Sequence, residues 1–251
     1  MSAASAIDLN CDLGEGAGHD AELMPLITSA NIACGAHAGD EATMRTTIAL
    51  AKKHGVAIGA HPGFADWENF GRREFSIAPS ETSQLVLLQI QKLQNLVIPF
   101  GASVTHVKLH GALYNMASRD ERLARAVVDS VAGTDEPPTL FALAGSKLEE
   151  VARRHGGVRV AAEVFADRTY QRDGSLTPRS RPDALIHDEG VAVAQVLRMV
   201  REGVVRATDG TDVPIRADTV CLHGDGPDPV GFARRLTAEL RAARIVVRAL
   251  A

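Results

Sequence analysis

The stretch THVKLHGALYN, residues 105–115, indicates how this chain folds. Lys108 and His110 alternate with apolar residues, so on an extended strand both polar side chains point to one face. Gly111 then interrupts the alternation, which is typical of a strand that ends in a loop. A lysine and a histidine at the end of an otherwise buried strand are costly unless they are paired or used. The stretch therefore predicts a buried strand with a functional tip.

The same design, a short apolar strand followed by a polar tip, recurs along the chain. The other tips lie at residues 8–16, 31–40, 61–63, 163–170 and 223–226. Helical patterns separate the strands, and such alternation predicts a parallel sheet. Seven or eight strand–helix units favour a closed, TIM-like barrel whose active site lies on one rim. We expect the whole chain, residues 1–251, to form one domain.

The pattern of apolar and turn residues also places the individual elements. The predicted strands are residues 7–11, 29–34, 56–60, 104–109, 139–143, 158–164, 218–222 and 245–248. The residues predicted to cap or begin helices are Asp40, Ser80, Ser118, Ser146, Asp188 and Asp228. Asp209 and Gly210 predict a hairpin turn within residues 204–216.

Composition excludes several classes of function. The net charge of −4, without a Lys/Arg stripe, argues against binding of nucleic acid. No apolar run has membrane-spanning length, and the first residues carry no secretory signal pattern. Three cysteines without an export signal are expected to be reduced thiols. These features predict a cytoplasmic protein.

Several of the polar tips, read in order, resemble the LamB/YcsF family. The matching stretches are DLNCDLGEG (8–16), NIACGAHAGD (31–40), IGAHPGF (58–64), FGRR (70–73), VKLHGALYN (107–115), EVFADRTY (163–170) and CLHGDGP (221–227). They span nearly the whole chain. Ala36 and Leu109 depart from the expected phenylalanine and proline, but neither position supplies a reactive group.

The resemblance implies a fold and an activity. The fold would be a distorted, seven-stranded β/α barrel related to glycoside hydrolase and polysaccharide deacetylase barrels. The activity would be that of the A component of the ATP-dependent 5-oxoprolinase, which cleaves 5-oxo-L-proline to L-glutamate together with 5-oxoprolinase subunits B and C. ATP would then be a co-substrate that is bound by or with those partner subunits.

The residues at the strand tips supply the candidates for catalysis. Opening a lactam that ATP has activated requires cations for phosphate and a base for water. The predicted catalytic residues are Asp12, His61, Lys108, His110, Glu163 and His223. Asp12 or Glu163 would act as the base, helped by a histidine, and Lys108 and Arg168 would act as electrostatic clamps.

Other polar residues at the tips are candidates for substrate binding. They are Asn10, His37, Asn115, Arg168 and Asp225, of which Arg168 is best suited to a carboxylate. Lys108 has an alternative role, a structural ion pair with Glu163 or Asp12 in the barrel mouth. We expect the substitution Lys108→Met to spare folding and to abolish activity.

The sequence leaves other mechanisms open. His and Asp side chains from several strand ends could form an open metal site, but no HExxH pair occurs and we predict no metal. His106 shares a strand face with His110 but lies about 13 Å away, too far for a shared ion. No GxxxxGK[ST] loop for ATP is present. The alternative functions are a freestanding metal-dependent amidase or deacetylase, and a non-catalytic subunit that binds 5-oxoproline.

Overall fold

Seven parallel strands form a closed barrel in the computed structural model, which describes residues 6–223 and 228–250. The described residues contain ten strands in all: β1 (Ala6–Leu13), β2 (Ser29–Ala33), β3 (Ala57–His61), β4 (Val104–Lys108), β5 (Thr139–Leu143), β6 (Val160–Phe165), β7 (Val204–Arg206), β8 (Asp212–Pro214), β9 (Thr219–Leu222) and β10 (Val246–Val247). The barrel runs from β1 to β6 and closes because β9 pairs with both β6 and β1. The predicted seven-stranded barrel is confirmed; a single domain stays a prediction.

In the part of the chain that the structure describes, three strands lie outside the barrel wall. β7 and β8 form the antiparallel hairpin that Asp209 and Gly210 predict. β10 pairs only with the start of β1, where Ala6 lies opposite Val246.

Helices surround the barrel and cover its apolar outer surface. They are α1 (Asp20–Leu23), α2 (Glu41–His54), α3 (Pro79–Val97), α4 (Gly111–Arg119), α5 (Glu121–Ala132), α6 (Lys147–His155), α7 (Glu189–Glu202) and α8 (Pro229–Ala242). Apolar side chains of the strands and helices form one continuous core between the two layers. None of the helices in the described part of the chain combines the length and the apolar character needed to cross a bilayer.

Helix caps follow the sequence closely at four helices. The side chains of Asp40, Ser146, Asp188 and Asp228 each accept a hydrogen bond from a backbone N–H in the first turn. These four predictions are confirmed. The helix predicted to start at Ser80 begins one residue earlier, at Pro79.

The prediction of a capping box at Ser118 is wrong. Ser118 lies inside α4, and its hydroxyl donates to the carbonyl of Tyr114 one turn earlier. Asp120 caps α5 instead, because its carboxylate accepts from the N–H of Arg122. Helix α4 itself was not predicted from the sequence. Gly111 adopts φ +54, so the chain turns from β4 directly into a helix.

The barrel interior carries a column of buried polar side chains in its lower half. Asp8 accepts hydrogen bonds from Thr28 and Ser29 at 2.7 and 2.6 Å, and also from Thr219. Thr219 in turn accepts from Asn10 at 2.7 Å. Asp8 is thus a structural hydrogen-bonding residue, which fixes the strands beneath the rim.

Candidate active site

A cleft of about 840 Å³ opens at the carboxyl ends of the barrel strands. Because all barrel strands are parallel, their polar tips meet on this rim. Seven of the eleven predicted site residues line the cleft: Asp12, His61, Lys108, His110, Asn115, Arg168 and His223. Asn10, His37 and Glu163 do not line it, and Asp225 lies outside the described residues.

Lys108, the last residue of β4, forms the floor of the cleft and is 2% exposed. Its Nζ lies 2.7 Å from Oδ1 of Asp12 and 3.3 Å from Oε1 of Glu163. Sγ of Cys221 lies 2.9 Å away. Burial alone would lower the pKa of Lys108, but the carboxylate of Asp12 outweighs it, and the pKa lies well above its usual value. Lys108 is therefore charged, ion-paired and open to the cleft at once.

Asp12, near the end of β1, is the carboxylate at the cleft surface, with 11% of its side chain exposed. Oδ2 lies 3.3 Å from Nε2 of His61, and Asn31 donates to Oδ1 at 2.8 Å. Burial would raise the pKa of Asp12, but the charges of His61 and Lys108 outweigh it and hold the pKa well below its usual range. Asp12 is therefore ionised and a weak base.

Glu163 lies beneath Lys108, completely buried, and this position argues against its predicted role as the base. Its carboxylate accepts from Nδ2 of Asn10 at 3.0 Å and from the hydroxyl of Tyr114 at 2.6 Å. Asn10 also accepts from Asn31 at 2.8 Å. Glu163 and Asn10 thus support Lys108 from below, without contacting the cleft.

Three histidines meet beside Asp12 around the carboxylate of Glu15. Oε1 of Glu15 lies 3.0 Å from Nε2 of His37, 3.2 Å from Nδ1 of His110 and 3.6 Å from Nε2 of His61. The rings of His37 and His110 stack in parallel with their centroids 3.7 Å apart. Burial lowers the pKa of His37 to about 4 and also lowers the pKa of His110. This group, Glu15 with His37, His61 and His110, is here called the histidine cluster.

Two backbone carbonyls orient two of these rings. Nδ1 of His61 lies 2.8 Å from the carbonyl oxygen of Lys108, and Nε2 of His110 lies 2.8 Å from that of Phe70. Phe70 belongs to the long loop after β3, which folds over the cluster. Gly71 permits this approach, since it adopts φ +63 and a Cβ there would lie 2.8 Å from Cβ of His37.

His223, just after β9, lies across the cleft floor and is held by an aspartate. Its Nδ1 donates to the carboxylate of Asp167, with the oxygens 2.9 and 2.8 Å away. Nη2 of Arg179 donates to the other ring nitrogen at 3.2 Å. One ligand atom each from Asp12, Cys221 and His223 lie within 4.8 Å of one another.

Arg168 holds a loop, although it was predicted to clamp the substrate. Its guanidinium donates to the carbonyls of Thr177 and Ala184 at 2.6 and 3.3 Å. Burial lowers the pKa of Arg168 to about 10. These bonds shape the loop after β6, which forms one wall of the cleft. Arg179, on the same loop, also lines the cleft and contacts His223.

His106 stays apart from the histidine cluster, as its position on β4 predicts. Its Nε2 donates to Oδ1 of Asn31 at 3.0 Å, and its ring stacks on Phe141. Gly59 makes room for it, because a Cβ there would overlap the imidazole ring of His106.

Sequence reasoning missed four residues of the site: Glu15, Tyr114, Asp167 and Cys221. Glu15 had a usable signal, since it stands between two glycines directly after β1 in the stretch DLNCDLGEG. Tyr114 and Asp167 lie within quoted stretches as well. Cys221 was expected to be a reduced thiol; it is a free, buried cysteine, and it also contacts Lys108.

Among the described residues, two groups of side chains are arranged so that they could hold a metal ion. One is the histidine cluster, and the other is Asp12 with Cys221 and His223. The first group offers imidazole nitrogens and a carboxylate, which suit transition metals such as zinc.

Comparison with known proteins gives consistent results along the whole chain. The sequence profile of the LamB/YcsF family matches residues 7–251. The 5-oxoprolinase A component from Bordetella pertussis is 53% identical over 249 residues, which cover 97% of this chain and 98% of that protein. The protein of the same name from Bacillus subtilis is 50% identical over 249 residues, which cover 97% of this chain and 96% of that protein.

Solved structures agree with the fold. The crystal structure of the lactam utilization protein from Thermus thermophilus matches with a TM-score of 0.91 and 46% identity, covering 98% of this chain and all of that one. A family 4 carbohydrate esterase from Streptomyces lividans matches with a TM-score of 0.50 and 8% identity, covering 99% of this chain and 95% of that one. The second likeness concerns the barrel alone.

Proposed function

Because the chain belongs to the LamB/YcsF family, we propose that it is the A component of a 5-oxoprolinase. It is a hydrolase that acts on a lactam, 5-oxo-L-proline, and releases L-glutamate. The observation that carries this proposal is the full-length identity of 50% and 53% with proteins of that name. The cleft supplies groups suited to this reaction. They are the charged Lys108, the ionised Asp12 and His223, which is held by an aspartate.

The cleft residues have separate roles in the proposed reaction. An amide is a poor electrophile, and phosphorylation of its oxygen by ATP would turn that oxygen into a leaving group. Lys108 would stabilise negative charge that develops on the substrate, since its ammonium is desolvated and fixed in place. Asp12 is too weak a base for proton transfer and would orient the attacking water.

His223 is the residue best placed to accept the proton of that water, at Nε2, where the water would take the place of the hydrogen bond from Arg179. Asp167 holds its Nδ1–H, which fixes the ring and stabilises the imidazolium that proton transfer would form. Its distance from Asp12, within 4.8 Å, suits a water hydrogen-bonded to both. This replaces Glu163 as the base, because Glu163 has no contact with the cleft.

The ATP step is proposed to take place with partner subunits. The sequence carries no GxxxxGK[ST] loop, so phosphorylation is most simply assigned to subunits B and C. The substrate, activated there, would reach the cleft within a cytoplasmic complex. The long loops at residues 61–79 and 165–185 surround the cleft and are the proposed docking surface.

The test is an assay of glutamate release by the purified chain with ATP and 5-oxoproline, before and after addition of subunits B and C. We expect turnover only in the complex, and we expect it to disappear with Lys108→Met. Lys52→Met is the matched control, because Lys52 is exposed on α2 and donates a hydrogen bond to the carbonyl of Gly101, away from the cleft residues. Full activity of the chain alone would overturn the partner requirement.

The second candidate is a freestanding metal-dependent amidase, and the histidine cluster is the observation that favours it. In that case the chain alone would hydrolyse amides, and a chelator would abolish the activity. The non-catalytic alternative, a subunit that only binds 5-oxoproline, predicts that His223→Asn leaves turnover of the complex unchanged.

A further inference from the structure

With its rings neutral, the histidine cluster brings together hydrogen-bond acceptors that have no hydrogen between them. A carbonyl oxygen only accepts, so Nδ1 of His61 and Nε2 of His110 must each carry the hydrogen that bonds the carbonyls of Lys108 and Phe70. In the neutral rings, Nε2 of His61 and Nδ1 of His110 are then bare lone pairs, and they lie only 3.0 Å apart. Oε1 of Glu15, another acceptor, faces both. Such a group repels itself unless a cation lies within it.

The spacing of these three atoms fits one ion. Zinc binds histidine nitrogen and carboxylate oxygen at about 2.0–2.2 Å in a tetrahedral arrangement, which puts neighbouring ligand atoms about 3.3 Å apart. The three observed edges are 3.0 Å between the two rings, 3.2 Å from His110 to Glu15 and 3.6 Å from His61 to Glu15. The triangle therefore has the size of one face of a zinc coordination sphere.

We propose that Glu15, His61 and His110 bind a divalent transition-metal ion of the zinc class. The ligand atoms are Oε1 of Glu15, Nε2 of His61 and Nδ1 of His110. All three residues line the cleft, so the fourth position faces the substrate space. This open arrangement with three protein ligands is the one that catalytic rather than structural zinc sites use.

The neighbours of His61 favour a metal ion over a single proton as the cation within the cluster. A proton on His61 could form a straight hydrogen bond to only one of its neighbours, whereas His110, Glu15 and Asp12 all lie within 3.0–3.6 Å of its Nε2. Metal-binding histidines almost always donate their other N–H to a carbonyl or carboxylate, as both rings do here. His37, whose Nε2 lies 3.0 Å from the same oxygen of Glu15, would donate to that oxygen from outside the coordination sphere.

The binding claim does not depend on the proposed 5-oxoprolinase activity, since it concerns the chain without substrate. An ion there would lie beside Asp12, where it would lower the pKa of a bound water. Binding and activity are measured separately, so either proposal can fail alone.

The test uses the full, untagged chain, stripped with a chelator and titrated with Zn²⁺ against a chromophoric competitor. We expect one ion per chain. His61→Gln and His110→Asn, which remove one ligand each, should weaken binding by about 100-fold or more, beyond the roughly 10–100-fold typical of losing an outer partner. His106→Asn is the matched control, a buried histidine of the same barrel that should bind as the wild type does.

A second measurement on the wild type avoids any dependence on how the variants fold. Co²⁺ in place of zinc should give the intense visible absorption of a four-coordinate nitrogen–oxygen site. Absence of stoichiometric Zn²⁺ binding, or equal binding by His61→Gln and the wild type, would show that a proton holds the cluster and would overturn the proposal. A weak, octahedral Co²⁺ spectrum would also overturn it.

Discussion

The substitution Lys108→Met should both destabilise the barrel and abolish turnover. Methionine keeps most of the stem volume, so the change removes a charge rather than packing. Asp12 and Glu163 would then share the barrel mouth without the ammonium, which now lies 2.7 and 3.3 Å from them. Removing one partner of a buried ion pair typically costs about 3–5 kcal/mol.

This loss of stability corresponds to a measurable fall in melting temperature. For a chain of this size, about 1 kcal/mol corresponds to roughly 2–4 °C in melting temperature, so a fall of about 6–20 °C is expected. The sequence alone favoured a variant that folds normally, because the alternation in β4 shows which face Lys108 occupies but not that two carboxylates flank it. Circular dichroism melting of wild type and variant measures the difference.

Lys147→Met is the control for stability. Lys147 also forms an ion pair, with Glu150 at 2.8 Å, but both side chains are 48% exposed, so we expect no measurable change. Adding Glu163→Gln to Lys108→Met should restore part of the stability, since it removes one uncompensated charge. A Lys108→Met variant that melts with the wild type would refute the ion-pair reasoning.

Two further predictions concern stability alone. Gly59→Ala should destabilise the barrel by about 1–3 kcal/mol or more, because its Cβ would overlap the ring of His106; urea unfolding checks this, and wild-type stability would contradict it. Burial raises the pKa of Asp8 above 3.8, so its contribution to stability is complete below that pH and is lost as the pH rises through the raised value. The stability of the wild type relative to Asp8→Asn should therefore fall as the pH rises above 3.8, and a difference that stays constant with pH would contradict the linkage.

The sequence predicted the barrel because its signals are local. An apolar strand, a polar tip and a capped helix repeat along the chain, and each signal lies within a few residues of the element it specifies. The caps at Asp40 and Asp188 show this, since an aspartate needs only the next turn of the helix to act. Helix α4 was not predicted, for the same reason. Gly111 is also a local signal for the end of a strand, and only its positive φ in the folded chain lets a helix follow at once.

The depth of the site residues could not be predicted, because it depends on register between strands far apart in sequence. Glu163 and Asp12 both point into the barrel, where each contacts Lys108. Glu163 pairs in register with Thr219, the first residue of β9, two positions before the strand end at Phe165. Asp12, in contrast, lies opposite Asn31 near the rim. One carboxylate is therefore buried and the other reaches the cleft.

Lys108 is the point at which the stability of the barrel and its proposed chemistry meet. Below it, Asn10 and Tyr114 hydrogen-bond Glu163, which in turn pairs with the ammonium; above it, the same ammonium faces the cleft. A lysine that stabilises charge on a substrate must not move, and a fixed position in a buried site requires that its partners be fixed as well. The polar column inside the barrel supplies that fixation. The buried carboxylate that seemed a candidate base in the sequence is thus better understood as the support that keeps the lysine charged and in place.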